Sequence, residues 1–533
     1  MEGSRALSWA PVSSMAPSTD SSQGPDRFRR GFVVALPAAI ALVYALGHLD
    51  WYLGTPLGRV PVLDERENID LAGAIFGGTL PPEPFYRAPG YALVLAGLRA
   101  IGVSAGGLFP AALLLGAALH ALDAALVACI ARRWFGGTAA LAAGLLFALD
   151  PVMVHYATQA LDATLSLALF LAGLNCLAAA LAAPDRARAW AGAGIFWAAA
   201  TLVRPNYLLD WVLLPLLALL LPGARGRGRI LAAALAGVLL FGAQSAWQWR
   251  AAGVAGFLPW QGAYNLWAAN RPGANGRYYS QQVSLPPSPA WVNPARAESI
   301  YLYRREAGGQ PEDIPSMNAH WRRRFLGEVA SHPMRWAALG ARKAYALLNN
   351  WEQYNNKTFA FHKARSPWLW WNPVCWGVLL VLGVAGAARL GSESPREAAV
   401  LAAVAAACAA SILLFFVSAR FRLPLAAILA VLAGGALGSP GFWTGWSPGR
   451  RAALAFGVVL AGFVAFSSLA GVSDTSTFVQ DHVLLARAAF TVGDDATALS
   501  EAEQALMMQP WHPDAAVIAG AAKAELAKKG SAP

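Results

Sequence analysis

The sequence predicts an all-α, polytopic membrane protein of about eleven transmembrane helices, each judged against the roughly 20 apolar residues that a full span needs. Three observations carry this fold class. Hydrophobic residues make up 57% of the 533 and charged residues only 13%. The mean hydropathy is +0.43, with 21 Trp, a balance typical of polytopic membrane chains rather than large soluble ones. Apolar runs also recur along the chain with short Arg clusters between them, the pattern of cytoplasmic membrane loops. That clustering accounts for the formal charge of +11 without nucleic acid, which is not an expected partner.

Taken in order, residues 1–26 are rich in Ser, Pro and Gly and are expected to be a disordered cytoplasmic tail. No small-residue cleavage site follows the first apolar run, so that run is expected to be an uncleaved signal-anchor, with Arg27, Arg29 and Arg30 holding the N-terminus inside. The spans are placed near 31–50, 107–131, 137–150, 163–182, 189–203, 206–222, 229–249, 367–389, 398–417, 423–438 and 452–471. With the N-terminus inside, Arg132-Arg133, Arg186/Arg188, Arg225/Arg227/Arg229, Arg389/Arg396 and Arg450-Arg451 all fall on the cytoplasmic side, as the positive-inside rule asks. Segment 88–103 is short and Gly-rich and is expected to pack in the outer leaflet without crossing. Four cysteines, Cys129, Cys176, Cys375 and Cys408, lie in or beside apolar runs and read as small buried hydrophobes.

This topology leaves loop 51–106, the connection Asp150–Asp162, loop 250–366 and the C-terminal tail on the outer face. The 250–366 loop mixes Trp, Tyr, Asn and Pro with charge, as a small amphipathic domain on the bilayer surface would. Residues 27–474 form the membrane domain. From 475 to 533 the chain reads as soluble helices, with Gly493, Ala498, Ala502, Ala505 and Pro510 at the offsets of a tetratricopeptide hairpin. One such unit plus a helix near 514–527 falls below the roughly three repeats of an independent solenoid. It is expected to dock on the membrane domain rather than recruit a protein partner, although a plain amphipathic hairpin fits the same residues.

Chemistry is sought on the outer face, where the acidic doublet Asp64-Glu65 stands just beyond the first apolar run. Ionised carboxylates beside a bilayer are costly unless they face water, pair with cations or serve a reaction. Further pieces follow in order: Phe85-Tyr86-Arg87-Ala88-Pro89-Gly90-Tyr91, Arg132-Arg133-Trp134-Phe135-Gly136, Asp150-Pro151 with Asp162, Thr201-Leu202-Val203-Arg204-Pro205, Asn265 to Gly276, and Arg420-Phe421-Arg422-Leu423-Pro424. In their order and alternating sidedness these pieces resemble the GT-C superfamily of polyprenyl-phosphate-sugar glycosyltransferases. The likeness covers about residues 30–440. It is greatest to family 39 proteins and their relatives, the protein O-mannosyltransferases and lipid A aminoarabinose transferases.

The resemblance implies an integral membrane glycosyltransferase that moves a hexose or pentose from a polyprenyl-phosphate donor to an extracytoplasmic acceptor hydroxyl on protein, glycan or lipid. It makes Asp64 the general base, with a pKa raised by partial dehydration. Glu65 would orient the acceptor or the neighbours of Asp64, and Asp162 would support the centre. A purely structural reading pairs both acids of the doublet with Arg66 or Arg87, and an acid in a first helical turn, as at Asp162, is also ordinary macrodipole stabilisation. Arg87, with Tyr86, would bind the donor phosphate, since guanidinium grips two phosphate oxygens at once. Headgroup snorkelling and interfacial anchoring are their ordinary alternatives. Arg204, Arg420 and Arg422 break the positive-inside trend, which a bound lipid phosphate or an anionic headgroup explains. Asn265, Trp267, Asn270 and Asn275-Gly276 suggest a polar and aromatic floor for sugar or acceptor. His155 and Tyr156 are ambiguous on residue type.

A phosphate leaves as an anion, so one base plus positive charge suffices and inversion is expected without a required metal or other cofactor. The expected site is the outer face of a bacterial inner membrane. Two rival functions are a flippase for polyprenyl-linked lipid and a noncatalytic scaffold. A transporter would place charges and broken helices near the midplane in paired halves, and no internal repeat of that kind is visible. Asp64→Asn separates the three, because only a transferase loses turnover.

Overall fold

The computed structural model describes residues 23–220, 226–283, 293–308, 313–371 and 373–530. The expected tail, up to residue 22, and Arg225 lie outside the described residues, as do the side chains of Arg27, Arg29 and Arg30. Among the described residues the regular structure is helical throughout.

A helix stands at each of the eleven expected spans. By length and composition eight of them can cross a membrane: Gly31–Leu53, Leu108–Phe135, Ala163–Ala182, Arg227–Ala252, Trp376–Glu393, Pro395–Leu414, Ala419–Leu437 and Pro448–Phe466. The count of eleven needs three more. One is the pair Gly137–Ala148 and Pro151–Ala157, bent by 59°. The break falls at Asp150-Pro151, where proline drives the preceding residue out of helical backbone, and the Asp150 carboxylate caps the new helix by accepting from Val152 N at 2.9 Å. The other two, Ala187–Val203 and Leu208–Leu220, hold 17 and 13 residues. The segment expected not to cross forms the helix Gly90–Ala100, whose 11 residues rise only about 16 Å.

Small residues let these helices pack closely, as apolar helices in lipid require. A Cβ on Gly386 would lie 1.8 Å from Leu432 O in the facing helix. One on Gly116 would lie 2.0 Å from Ala157 O, so this glycine seats the broken pair against the long Leu108–Phe135 helix. The helix Ala419–Leu437, about 28 Å long, fixes the two ends of the bundle. At its far end the Arg389 guanidinium donates to Gly435 O and Thr138 to Gly438 O. At its near end stands Arg420.

The 250–366 region folds into short helices, among them Gln261–Ala268, Pro294–Ala307, Ile314–Ser331 and Pro333–Leu348. The first three share a core of Trp260, Tyr264, Trp267, Leu302, Met317 and Trp321. The C-terminal region forms three helices, Phe478–Thr491, Asp495–Met508 and Pro513–Gly530. Gly493 turns the first into the second at φ 79°, and Ala498, Ala502 and Ala505 are fully buried where these helices meet. The first helix docks on the membrane domain, with Leu484, Leu485 and Ala488 in one core with Leu57 and Val62.

Candidate active site at one end of the bundle

The doublet opens a helix, Asp64–Gly77, whose first turn holds Asp64, Glu65 and Glu67, an arrangement that suits the positive end of the helix dipole. Leu63, just before it, has φ 48°, a conformation that costs a branched residue about 1–3 kcal/mol and persists only where surroundings enforce it. Residues 64 and 67 share one face of the helix. Both meet Arg87, whose Nη2 donates to Asp64 Oδ1 and whose Nε donates to Glu67 Oε2. Arg87 is carried by an extended segment pinned where Trp260 N donates to Phe85 O at 3.0 Å and Gln261 N to Tyr86 O at 3.3 Å. Gly90 lets that segment approach the end of the Ala187–Val203 helix, since a Cβ there would lie 2.7 Å from Leu202 O.

Two further arginines close on the same acids. Arg204 ends the Ala187–Val203 helix in extended backbone, φ −147°, because Pro205 follows. Its guanidinium grips Asp162 twice, at 2.7 and 3.4 Å, and donates to Arg420 O at 3.3 Å. Arg420 Nη2 donates to Asp64 Oδ2 at 3.0 Å, and its Nη1 lies 3.7 Å from Asp162 Oδ1. Asp162 makes no side-chain cap for the helix it precedes, so its carboxylate serves the arginines. The result is an alternating chain, Glu67–Arg87–Asp64–Arg420–Asp162–Arg204, of three carboxylates and three guanidiniums.

Electrostatics corrects the expectation of a raised Asp64 pKa. Burial pushes the carboxyl up, but the Arg87 and Arg420 guanidiniums hold it at about 2. Burial likewise opposes Arg204 and Arg420 at Asp162, whose pKa ends below the ordinary range. At Glu67 burial outweighs Arg87, and Asp64 beside it adds to the rise.

The other expected site residues have different partners. Glu65 faces away from Asp64's arginines: it pairs with Lys357 Nζ at 2.8 Å and accepts from Val62 N at 3.2 Å and Ala160 N at 3.3 Å, fully buried. Arg66 pairs with Asp70 on its own helix. Arg422 stands outside the chain of charges, because its Nη2 pairs with Glu352 at 2.5 Å and its Nη1 donates to Asn349 O at 2.6 Å. Tyr86 donates to Asn293 Oδ1 at 3.3 Å and packs edge-on against Trp260. Trp267 is buried between Tyr264 and Trp321. Asn270 donates to Leu266 O and Leu414 O and accepts from Lys343 Nζ at 2.9 Å. Asn265 is half-buried on the Gln261–Ala268 helix. His155 stacks within 5.4 Å of His362, and Tyr156 is buried.

Glu67, Asn356, Lys357 and Glu352 are absent from the sequence reading. Only Glu67 carried a signal, its i,i+3 spacing from Asp64 on a helix. Among the described residues no group of three His, Cys, Asp or Glu side chains is placed to hold a metal ion.

Residues 86–247 match the family profile described as dolichyl-phosphate-mannose-protein mannosyltransferase. That stretch contains Arg87, Asp162 and Arg204 and is less than half of the chain. No curated protein sequence matches. Similar solved structures include the apo oligosaccharyltransferase of Archaeoglobus fulgidus, at 14% identity and TM-score 0.46, covering 88% of this chain and 59% of that one. They also include ArnT from Cupriavidus metallidurans bound to undecaprenyl phosphate, at 16% identity and TM-score 0.39, covering 92% of this chain and 75% of that one. The chain thus spans about three fifths of the length of the first of these.

Proposed function

We propose that the chain is a GT-C-type glycosyltransferase of the inner membrane, moving a sugar from a polyprenyl-phosphate donor to an acceptor hydroxyl on the extracytoplasmic face. The observation that carries this reading is the alternating chain of acids and arginines centred on Asp64. The family profile over 86–247 supports the same chemistry. In this scheme the donor phosphate draws Arg87 and Arg420 from Asp64, and Arg204 holds Asp162 in reach of Arg420. Once Asp64 loses its cations, burial is left to raise its pKa, and the carboxylate gains strength as a base when the donor is in place. The acceptor oxygen then forms its bond to the anomeric carbon, its proton passes to Asp64, and the C–O bond to phosphate breaks with the electron pair leaving on phosphate. The guanidiniums stabilise that charge, and the configuration inverts. No step asks for a cofactor. Glu65, by pairing with Lys357, fixes the turn that presents Asp64.

The test is release of free polyprenyl phosphate by the protein in lipid discs, offered a panel of polyprenyl-phosphate sugars and membrane extract, with Asp64→Asn alongside. Consumption of a donor by the wild type and not by the variant is expected. Donor binding without release by either protein would overturn the transferase reading in favour of transport or scaffolding.

A further inference from the structure

Between the Pro333–Leu348 helix and the short helix Phe359–Lys363 runs irregular backbone whose polar groups must find partners outside any ladder. It finds them on three sides. Toward the arginines, Ala419 N donates to Gln353 O at 3.1 Å and Asn355 Nδ2 to Ser418 Oγ at 3.2 Å, directly before Arg420. Toward the acids, Asn356 takes a left-handed backbone, φ 55°. Lys357 Nζ binds Glu65 at 2.8 Å and Tyr52 at 2.7 Å, with both partners of the ion pair only 1% exposed.

The third side is the C-terminal region. Gln353 Nε2 donates to Val472 O at 3.2 Å, and Thr358 Oγ1 meets Thr477 Oγ1 at 3.2 Å. Thr358 N donates to Asp481 Oδ1 at 2.8 Å, and His362 Nε2 stands 3.4 Å from the same oxygen. Asp474 pins the start of this region to Arg277 at 3.0 Å and Tyr278 at 2.5 Å. Asp481 is buried and lies one residue's reach from Lys357, which in turn holds the neighbour of Asp64.

We propose that the docked C-terminal helices are a positioning element of the active site: Asp481 and Thr477 clamp Thr358, and the clamp sets Lys357 against Glu65 and so fixes the turn that presents Asp64. The proposal rests on the transferase reading for its kinetic consequence. Asp481 touches no reacting atom, so it is a positioning residue. The strained backbone at Leu63, directly before Asp64, needs such an external hold.

The test uses the full chain in lipid discs with Asp481→Ala and Asp481→Asn. Asp481→Ala is expected to lower kcat by about 10²-fold, the scale of a small misplacement transmitted to a reacting centre, with donor KM unchanged. Amide exchange should quicken at 62–68 and 353–360 while the bundle stays protected. Asp481→Asn keeps an oxygen for Thr358 N and should restore most of kcat. Wild-type turnover in Asp481→Ala, or unchanged exchange at 62–68, would overturn the clamp. If the wild type itself consumes no donor, the transferase reading fails separately. The clamp is then decided on exchange at 62–68 alone, faster in Asp481→Ala if it exists and unchanged if it does not.

Discussion

Asp64→Asn should do two opposite things at once. Holding the carboxyl at about 2 instead of its ordinary 3.8, although burial pushes it up, leaves a net of about 2 kcal/mol in favour of the ion pairs with Arg87 and Arg420. A donor phosphate must break those interactions to reach Arg87 and Arg420. With asparagine in place most of that cost vanishes, so the variant should bind polyprenyl phosphate more tightly, by up to about 30-fold. Turnover should fall by about 10²–10⁴-fold through loss of the base. Binding is read by titrating the lipid into discs and following intrinsic fluorescence, since Tyr86 stands beside Arg87 and Trp260 packs edge-on against Tyr86. Turnover is read by released polyprenyl phosphate. Weaker donor binding in the variant would refute the idea that acid and phosphate compete for the same guanidiniums, whatever happened to the rate.

The pH dependence follows from the same pairing. A carboxyl whose folded pKa is depressed contributes stability that is full above its unfolded pKa and lost as pH falls through the folded one. The wild type should therefore lose about 2 kcal/mol between roughly pH 4 and pH 2 that Asp64→Asn does not, as read by thermal unfolding of both proteins across that range. Lys357→Met leaves Glu65 buried without its cation and should destabilise the fold by about 3–5 kcal/mol, visible as a lower Tm. Gly386→Ala drives a methyl into Leu432 O and should cost about 1–3 kcal/mol without touching donor affinity; an unchanged Tm would mean those helices are less tightly apposed.

The spans were legible because length and apolarity decide whether a helix can cross, and both are written in the chain. Their edges were less so. The span expected from 367 begins at Trp376, since Pro367 and Pro373 keep the intervening tryptophans out of helix. Asp64, Arg204 and Arg420 drew notice as charges misplaced against a membrane, Arg87 and Asp162 through the family resemblance, and the fold brings all five together. Arg422, two residues from Arg420, carries the same residue-type signal, but it turns to Glu352 and loop carbonyls because positions i and i+2 face different sides of a helix. Trp267 and Asn270 fitted a sugar floor by type alone; Trp267 lies in the core of its small domain and Asn270 donates to Leu414 O. Lys357 left no local trace, because its partner Glu65 is 292 residues away in sequence. The direction of the Asp64 pKa was missed for a related reason: burial is local and could be guessed, whereas two guanidiniums arrive from distant segments.

The corrected pKa changes what kind of base Asp64 can be. Held at about 2, the carboxylate is ionised at any physiological pH but has little affinity for an alcohol proton. Nor does net charge draw a phosphate to the site, because three acids balance three arginines. In the proposed mechanism donor binding therefore proceeds by exchange, with phosphate oxygens replacing carboxylate oxygens on Arg87 and Arg420. Each guanidinium transferred removes one of the two cations that depress Asp64, while burial, which pushes the other way, stays. The same event that neutralises the leaving group raises the base toward the range where it can accept a proton. An acceptor or a water molecule arriving before the donor meets a carboxylate already occupied, so the order of events is written into the pairing of charges. The clamp on Thr358 fits this logic, since Lys357 beside it holds Glu65, the neighbour of Asp64, through an ion pair that involves neither arginine.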